Sequence, residues 1–385
     1  MSTRIQSRRI LTPDGVRAGY VYLDGGRIAD VTDAARPCDT MVDVGDDYVS
    51  PGFIDLHVHG GAGHDFAGTV DDVIAGVQFH LSHGTTSICP TVSAAPFPVM
   101  AQAAARIGCA KHSGRARANI LGAHLEGPYL SRAQCGAQSP DFITPPNPAD
   151  YEPLIAAHGA DIARWTFAPE HDDGTFCRYL TSHGILPSAG HTDATGAEMN
   201  RAVDAGCRLV THLYSCCSTV TRDHGFRRLG VIEQTFLRDD VYAEIIADGC
   251  HLPPDLIRLI LKVMGKSRVA LVTDALSLAG TDAKSGRMMA TDYIIEDGVC
   301  KLTDRSAFAG SIATTDRLVR VMRDEVGVPL RDAVAMAADV PAQIMGLRKG
   351  RLAAGYDADV IVFDDDVRVS AAWVRGERVP LSAKE

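Results

Sequence analysis

Histidine and carboxylate residues follow the apolar segments of this 385-residue chain in a pattern typical of a metal centre. His57 and His59 form an H-x-H pair in the run FIDLHVH. Alternate residues of a β-strand point to the same side, so the two imidazoles can bind one ion together. Imidazole and carboxylate are ligands that Zn²⁺ and Fe²⁺ accept in proteins. The candidate metal ligands are His57, His59, Glu126, His191 and His212, and Asp274 follows the last apolar segment as a candidate catalytic group.

Eight short apolar segments alternate with amphipathic helical stretches in the middle of the chain, which is the pattern of β/α units with a parallel sheet. Eight units in this length favour an α/β fold with a closed (β/α)8, TIM-like barrel over an open sheet. The candidate ligands and Asp274 lie at the carboxyl ends of these strands, where the catalytic groups of such barrels converge. The predicted strands are 53–59, 86–91, 119–127, 164–170, 185–191, 209–214, 242–249 and 268–275.

The two ends of the chain share a different pattern, in which short alternating segments are separated by turns such as D-G-G at 24–26. The termini of a domain often lie close together. We therefore predict a small β-sandwich domain formed by residues 1–50 plus 350–385, and a metal-dependent barrel domain over residues 51–349.

The composition argues against several classes of protein. The net charge is −10 at pH 7, whereas a general nucleic-acid binder usually carries a basic patch. The N-terminus lacks the apolar core of a signal peptide, and the sequence has no run of about 18 apolar residues that could cross a membrane. The ten cysteines are scattered without a C-x-x-C pair, which favours free thiols in a reducing compartment. We expect a cytoplasmic protein that binds a small molecule, with neither nucleic acid nor membrane as a partner.

The alternative to a metal centre is that the histidines are core residues held by hydrogen bonds. Five ligand-type residues at four strand ends disfavour that alternative for the candidate set. His64, in a glycine-rich loop after the first strand, stays open between the two roles, and Glu170 faces the same rim as a supporting or structural group. The histidines with a predicted structural role lie on a helical pattern or near helix ends, and they are His80, His83, His112, His158 and His183.

Motifs around the candidate ligands match those of one known family. The most specific are HLEGPYL (124–130), SAGHTDAT (188–195) and THLY (211–214). On these motifs the chain resembles the N-acetylglucosamine-6-phosphate deacetylase family of the amidohydrolase superfamily. Further matching stretches are PGFIDLHVHGGAGHDF (51–66), FAPE (167–170), IIADGCHL (245–252), LVTDA (271–275), AGS (309–311) and GRLAAGYDAD (350–359).

The resemblance implies hydrolysis of the N-acetyl group of an N-acetyl-hexosamine 6-phosphate, with N-acetylglucosamine 6-phosphate as the expected substrate. It implies that Glu126, His191 and His212 bind the principal metal, and that Asp274 acts as general base and then general acid. Some members have H-x-Q at the first strand and one metal, so the H-x-H pair here predicts a second ion bridged by the glutamate. Zinc is the expected metal, with iron or manganese as alternatives and one or two ions per subunit. A homodimer is the expected assembly.

The chain departs from the family where the substrate is recognised. The family's G-x-H-x-P motif has Gln138 in place of its histidine, a neutral donor for a developing oxyanion. The family's THLYNAM becomes THLYSCC, so Ser215 replaces an asparagine that contacts the sugar phosphate. The expected phosphate-binding arginine, which in the family can reach across a dimer interface, is Arg222, Arg227 or Arg228. The predicted substrate-binding residues are Ala137, Gln138, Ser215, Cys216, Arg222, Arg227 and His251.

These departures leave several functions open. The changes can be drift within one activity, or they can mark a different epimer such as N-acetylgalactosamine 6-phosphate. Another amidohydrolase substrate, such as an N-acyl amino acid, a cyclic amide or a purine, is a further alternative. A non-catalytic scaffold that has lost its metal is disfavoured, because every expected ligand and Asp274 are present.

Overall fold

The computed structural model describes residues 2–381 and contains the predicted barrel. Its parallel sheet has nine strand segments, of which Asn119–Ile120 and Ala123–Glu126 together make the third barrel strand. Neighbouring strands pair in chain order. The sheet closes where Asp274 N–H donates to the His57 carbonyl at 2.9 Å. Barrel strands 1 to 8 are Phe53–Val58, Thr85–Ser93, 119–126, Ile162–Phe167, Leu186–Ala189, Leu209–Val210, Tyr242–Ile245 and Val269–Leu271.

Helices follow the barrel strands, and local sequence sets where they begin. At the start of Val70–Ser82, the Thr69 hydroxyl accepts from Asp72 N–H and the Asp72 carboxylate accepts in return, which forms a capping box. The helix Gly196–Asp204 is followed by Gly206 at φ +119°, as its terminal glycine predicts. The α-helices are Val70–Ser82, Phe97–His112, Pro148–His158, Thr175–Ser182, Gly196–Asp204, Val231–Leu237, Pro254–Met264, Thr315–Val321, Leu330–Ala337 and Asp339–Ile344, and Met322–Val326 is a π-helical turn.

Strands from both ends of the chain form one eight-stranded sheet, the terminal sheet. Val360–Phe363 lies antiparallel to Tyr48–Pro51 and so joins the two ends. Buried residues such as Ile5, Val49 and Trp373 form its core. The predicted fold class is confirmed, and we propose 1–50 plus 350–385 and 51–349 as the domain bounds. The strands of the terminal sheet are Thr3–Thr12, Gly15–Asp24, Arg27–Thr32, Thr40–Asp43, Tyr48–Pro51, Val360–Phe363, Val369–Val374 and Glu377–Val379.

An antiparallel four-stranded sheet at 285–310, the inserted sheet, follows barrel strand 8 and was not predicted from the sequence. Its strands are short and partly exposed, so they carry a weak alternating pattern. Its buried Met288 and Tyr293 pack in one cluster with Ala137 and Leu276, which belong to loops after barrel strands 3 and 8. The inserted sheet therefore lies against the carboxyl end of the barrel. Its strands are Ser285–Met288, Thr291–Glu296, Val299–Leu302 and Phe308–Gly310.

All ten cysteines are free thiols, in agreement with their scattered positions in the sequence. Five of them are buried, and Cys109 is exposed. In the part of the chain that the structure describes, no helix is long and apolar enough to cross a membrane.

Candidate active site

The predicted metal ligands converge at the carboxyl end of the barrel, around the buried carboxylate of Glu126. Its Oε1 lies 3.1 Å from His191 Nε2 and 3.0 Å from His212 Nε2. His57 Nε2 lies 3.4 Å from the same oxygen. Side chains from barrel strands 1, 3, 5 and 6 thus point at one place. We call the six converging residues the metal-ligand cluster; they are the five candidate metal ligands His57, His59, Glu126, His191 and His212 and the candidate catalytic residue Asp274.

His57 also belongs to a second group in the cluster, with His59 and Asp274. The Nε2 atoms of the two histidines are 3.2 Å apart. Asp274 Oδ1 lies 3.2 Å from His59 Nε2 and 3.4 Å from His57 Nε2. The structure therefore brings all six residues together, in two adjoining groups that share His57.

Hydrogen bonds on the far side of the rings orient two of the candidate ligands. His191 Nδ1 lies 3.0 Å from the Gln134 carbonyl, and His212 Nδ1 lies 3.1 Å from the Ser215 carbonyl. A carbonyl oxygen can only accept, so Nδ1 carries the hydrogen in each ring. Nε2 is then free to bind an ion, and the backbone fixes the direction of its lone pair.

Three residues of the cluster have a backbone conformation that residues other than glycine seldom adopt. The φ angles are +47° at His191, +30° at His212 and +48° at Asp274. Each residue lies two or three positions beyond the end of its barrel strand, so the predicted strands 185–191, 209–214 and 268–275 were too long. A positive φ interrupts the strand and costs about 1–3 kcal/mol per residue. That strain is concentrated where the side chains turn towards the centre.

The electrostatics of the cluster favour positive charge. Burial lowers the pKa of His57, but the carboxylates of Glu126 and Asp274 outweigh it and raise the pKa to about 10. The same balance raises the pKa of His59 to about 9. Burial raises the pKa of Glu126 and of Asp274, yet the neighbouring imidazoles dominate and hold both pKa values below their usual range. Both carboxylates are therefore ionised next to groups that attract protons.

This donor set fits a divalent cation. Imidazole nitrogens and carboxylate oxygens converge in a buried site, and two buried anionic groups require compensating positive charge. A dication can supply that charge in place of the protons that the imidazoles otherwise attract. The combination suits Zn²⁺, Fe²⁺ or Mn²⁺.

A buried ion pair that the sequence did not reveal adjoins the cluster. Arg164 on barrel strand 4 donates two hydrogen bonds to the Glu244 carboxylate on strand 7, one of them at 3.1 Å. The guanidinium also donates to the Leu56 carbonyl and to the Thr211 hydroxyl, both at 3.0 Å. Glu244 Oε2 lies 3.9 Å from His57 Nδ1. The ion pair therefore occupies the barrel interior directly behind one of the candidate ligands.

A cavity of about 260 Å³ opens at the cluster. Glu126 and Asp274 lie in its wall. His251 lies there too, with its Nδ1 2.9 Å from the carboxylate of buried Asp248. Five of the seven predicted substrate-binding residues line the cavity, namely Ala137, Gln138, Ser215, Cys216 and His251.

The other two predicted substrate-binding residues, Arg222 and Arg227, lie outside the cavity of their own chain. They face each other across two short antiparallel strands, Thr221–Asp223 and Phe226–Arg228, which we call the arginine hairpin. Both arginines are exposed, and Phe226 is 78% exposed. The hairpin therefore presents its charged and aromatic side chains to solvent.

The cavity is also lined by residues that were not predicted from the sequence. Tyr214, Met288 and Phe308 line it, and the Phe308 ring lies 4.9 Å from the His251 ring. The AGS motif at 309–311 directly follows Phe308 and could have indicated that this segment lies at the cavity. Met288 gave no such signal, because only the packing of the inserted sheet brings it to the cavity.

Other candidate residues have structural roles. His80 is buried and its Nε2 donates to a backbone carbonyl at 2.8 Å, and burial lowers its pKa to about 4. The sequence left the role of His64 open. Its Nδ1 lies 2.8 Å from Asp72 Oδ1, and neither residue belongs to the metal-ligand cluster. Glu170 accepts hydrogen bonds from the two residues that follow His191. It therefore supports the loop that holds this candidate ligand.

Comparison with known proteins agrees with the resemblance found in the motifs. The model of the amidohydrolase family matches residues 48–379. The chain belongs to the amidohydrolase family. The N-acetylglucosamine-6-phosphate deacetylase of Bos taurus is 32% identical over 386 residues, covering 96% of this chain and 94% of that protein. The N-acetylgalactosamine-6-phosphate deacetylase of Escherichia coli O157:H7 is 31% identical over 385 residues, covering 98% of this chain and 99% of that protein.

Solved structures show the same fold. A mutant N-acetyl-D-glucosamine-6-phosphate deacetylase from Mycobacterium smegmatis, in complex with N-acetyl-D-glucosamine-6-phosphate, has a TM-score of 0.91 and 30% identity, covering 98% of this chain and 99% of that one. N-acetylglucosamine-6-phosphate deacetylase from Pasteurella multocida also has a TM-score of 0.91, at 27% identity, covering 98% and 100%. The similarity extends over the barrel and both ends of the chain.

Proposed function

We propose that this chain is a metal-dependent deacetylase that hydrolyses the N-acetyl group of an N-acetyl-hexosamine 6-phosphate. The products are acetate and an amino sugar phosphate. The observation that carries the proposal is the convergence of Glu126, His191, His212 and Asp274 at the wall of one cavity. Relatives whose names specify this deacetylation align with nearly the whole chain, which supports it.

The metal has a defined place in this proposal. Glu126, His191 and His212 would hold the principal ion, and His57 with His59 would offer a place for a second. A bound divalent cation polarises an amide carbonyl and makes water a stronger acid, which are the two aids that amide hydrolysis needs at neutral pH. We propose zinc, with iron and manganese as alternatives, because the nitrogen and carboxylate donors suit all three.

Asp274 moves the proton in this proposal. Its carboxylate is ionised, because His57 and His59 hold its pKa low against the effect of burial. It accepts a proton from the attacking water as the new carbon–oxygen bond forms. It then delivers that proton to the sugar nitrogen as the carbon–nitrogen bond breaks, so that a neutral amine leaves.

Recognition of the phosphate is assigned to Arg222 and Arg227. Because the arginine hairpin lies outside its own cavity, these guanidinium groups would serve the cavity of a partner subunit in a homodimer. The exposed ring of Phe226 on the same hairpin supports this assembly, since aromatic side chains are enriched at protein interfaces. Bidentate contacts between arginine and phosphate give both affinity and orientation.

A screen for acetate release tests the proposed substrate. Phosphorylated and plain N-acetylglucosamine are compared with the zinc-loaded enzyme and with enzyme treated with a chelator. We expect kcat/KM to be well over tenfold higher for the phosphorylated sugar, because the phosphate adds charge-assisted hydrogen bonds. Equal values would exclude a phosphate site, and full activity after chelation would exclude the metal.

N-acetylgalactosamine 6-phosphate is a second candidate substrate. Ser215 lines the cavity where the family has an asparagine, and the galactosamine-specific relative aligns with the chain over almost its full length. The same screen includes this epimer, and a higher kcat/KM for it than for N-acetylglucosamine 6-phosphate would make it the assigned substrate. If neither sugar phosphate releases acetate, N-acyl amino acids and cyclic amides are the next substrates to test.

A cytoplasmic location is part of the proposal. It is supported by ten free cysteines, five of them buried, which suit a reducing compartment. Fractionation of cells that express the protein at its native level would test it.

A further inference from the structure

Gln138 contacts the metal-ligand cluster and the barrel backbone at the same time. Its Nε2 donates to Glu126 Oε2 at 2.7 Å. Its Oε1 accepts from Ala94 N–H at 2.9 Å, directly after barrel strand 2. The side chain is only 5% exposed. Two bonds to two different parts of the barrel therefore hold this amide in place.

The chemistry of the two partners determines which end of the amide faces Glu126. The backbone N–H of Ala94 can only donate, so it requires the amide oxygen. The ionised carboxylate of Glu126 can only accept, so it requires the amide nitrogen. Both requirements give the same orientation, and the reversed amide would lose both hydrogen bonds.

The two oxygens of Glu126 consequently have different roles. Oε1 faces His191 and His212, at 3.1 and 3.0 Å. Oε2 lies 2.7 Å from Gln138 Nε2 and 3.4 Å from His59 Nε2, and the neutral amide N–H holds this oxygen without removing the negative charge of the carboxylate. Rotation of the carboxylate would break the bond to Gln138, so the amide keeps Oε1 directed at the ligand nitrogens.

We propose that Gln138 is a positioning residue for Glu126 and raises the affinity of the Glu126–His191–His212 site for a divalent ion. This inference rests on the proposed function, because it takes these three residues as the metal ligands. Partners that hydrogen-bond to a metal ligand are typically worth 10–100-fold in metal affinity. Gln138 therefore acts on the metal site, whereas its place in the sequence motif predicts a substrate contact.

Zinc affinity of the metal-free full-length protein, measured by competition with a chromophoric chelator, tests the inference. Gln138→Met keeps the length of the side chain but removes both the donor to Glu126 and the acceptor for Ala94 N–H, and we expect it to weaken zinc binding 10–100-fold. Gln234→Met is the matched control, because Gln234 is also buried and does not line the cavity. The side chain of Gln234 donates to Asn200 Oδ1 at 3.0 Å, a contact that involves no candidate metal ligand. Its zinc affinity should equal that of the unmodified protein.

A double-mutant cycle separates positioning from a general structural effect. If Gln138 acts through Glu126, Gln138→Met should have little further effect on zinc affinity in a Glu126→Gln background. An equal loss in both backgrounds would overturn the inference. If Gln138→Met does not fold by circular dichroism, Gln138→Asn replaces it. That amide is one methylene too short to span both partners, so the same loss is expected.

The outcomes distinguish this inference from the proposed function. If the unmodified protein binds neither zinc nor manganese, the proposed metal centre fails and the inference fails with it. If Glu126→Gln weakens zinc binding while both Gln138 variants bind as the unmodified protein does, the metal centre stands and the positioning role is wrong.

Discussion

The metal-ligand cluster and the arginine hairpin serve the same proposed reaction from opposite environments. The cluster is buried, its six residues come from five barrel strands and the turns beyond them, and backbone carbonyls orient the imidazoles of His191 and His212. The hairpin consists of two three-residue strands whose arginines are exposed. All six groups of the cluster therefore come from one chain, whereas the proposed role of the hairpin requires a second subunit.

Burial also determines how much each region tolerates change. Inside the barrel, no water can replace a lost partner. Removing one member of a buried pair therefore leaves the other as an uncompensated charge or an unsatisfied donor. A group on the hairpin is surrounded by water, and the net effect of losing one contact is small.

Asp274→Asn is expected to have the largest effect on turnover. The amide has nearly the same shape but cannot accept the proton of water, so kcat should fall by about 10²–10⁴-fold. Glu126, His191 and His212 are unchanged, so zinc content should be retained. Steady-state kinetics with metal analysis of the same sample checks both points. Turnover near the wild-type rate would contradict the role of Asp274.

Glu244→Gln should strongly destabilise the barrel. It leaves the buried guanidinium of Arg164 without its anionic partner, and the free energy of unfolding should fall by roughly 3–5 kcal/mol in chemical denaturation. The double variant Arg164→Met with Glu244→Gln removes both charges and should lose less. Asp46→Asn is the surface control, because its pair with Arg8 is about 70% exposed on both sides, and it should lower the free energy of unfolding far less than Glu244→Gln does. Equal losses of unfolding free energy in Glu244→Gln and Asp46→Asn would contradict the expected difference between buried and exposed ion pairs.

His80 predicts a specific dependence of stability on pH. Its pKa is about 4 in the folded protein, below the ordinary value of 6.5, so the unfolded chain binds the proton first. The contribution of His80 is fully present above about pH 6.5 and is lost as the pH falls through 4, by at most roughly 3 kcal/mol. His80→Gln keeps a donor for the carbonyl but does not titrate, so its unfolding free energy should fall less over this range. If the unfolding free energies of the unmodified protein and of His80→Gln fall equally with pH, His80 is excluded as the cause of the pH dependence.

Substitutions in the arginine hairpin should have the smallest effect and act only on phosphorylated substrate. Arg222→Ala or Arg227→Ala should lower kcat/KM for the sugar phosphate about tenfold and leave the plain sugar unchanged. Unfolding should be unaffected, because both side chains are exposed. Arg8→Ala, an exposed arginine of the terminal sheet, is the control. An equal loss of kcat/KM with both sugars would show that the hairpin does not recognise the phosphate.

The strand order and the identity of the ligand-type residues were predictable because they depend on local patterns. Runs such as FIDLHVH are rich in apolar residues, as expected for barrel strands covered on both faces, and polar residues towards their ends stand out. The ends of strands 5, 6 and 8 were wrong, because the positive φ angles at His191, His212 and Asp274 leave no mark in an apolar pattern. The inserted sheet was missed because its strands are short and half exposed.

By itself, the sequence determined the fold class, the family and the residue types of the metal-ligand cluster. These follow from hydrophobic periodicity and motif spacing, which act over a few residues. Only the tertiary structure decided that Arg164 pairs with Glu244, that Gln138 faces Glu126, and that the arginine hairpin lies outside the cavity of its own chain. Each of these depends on where a side chain points relative to residues that are distant in the chain. That direction is set by the closure of the barrel and by the cost of leaving buried polar groups without hydrogen-bond partners.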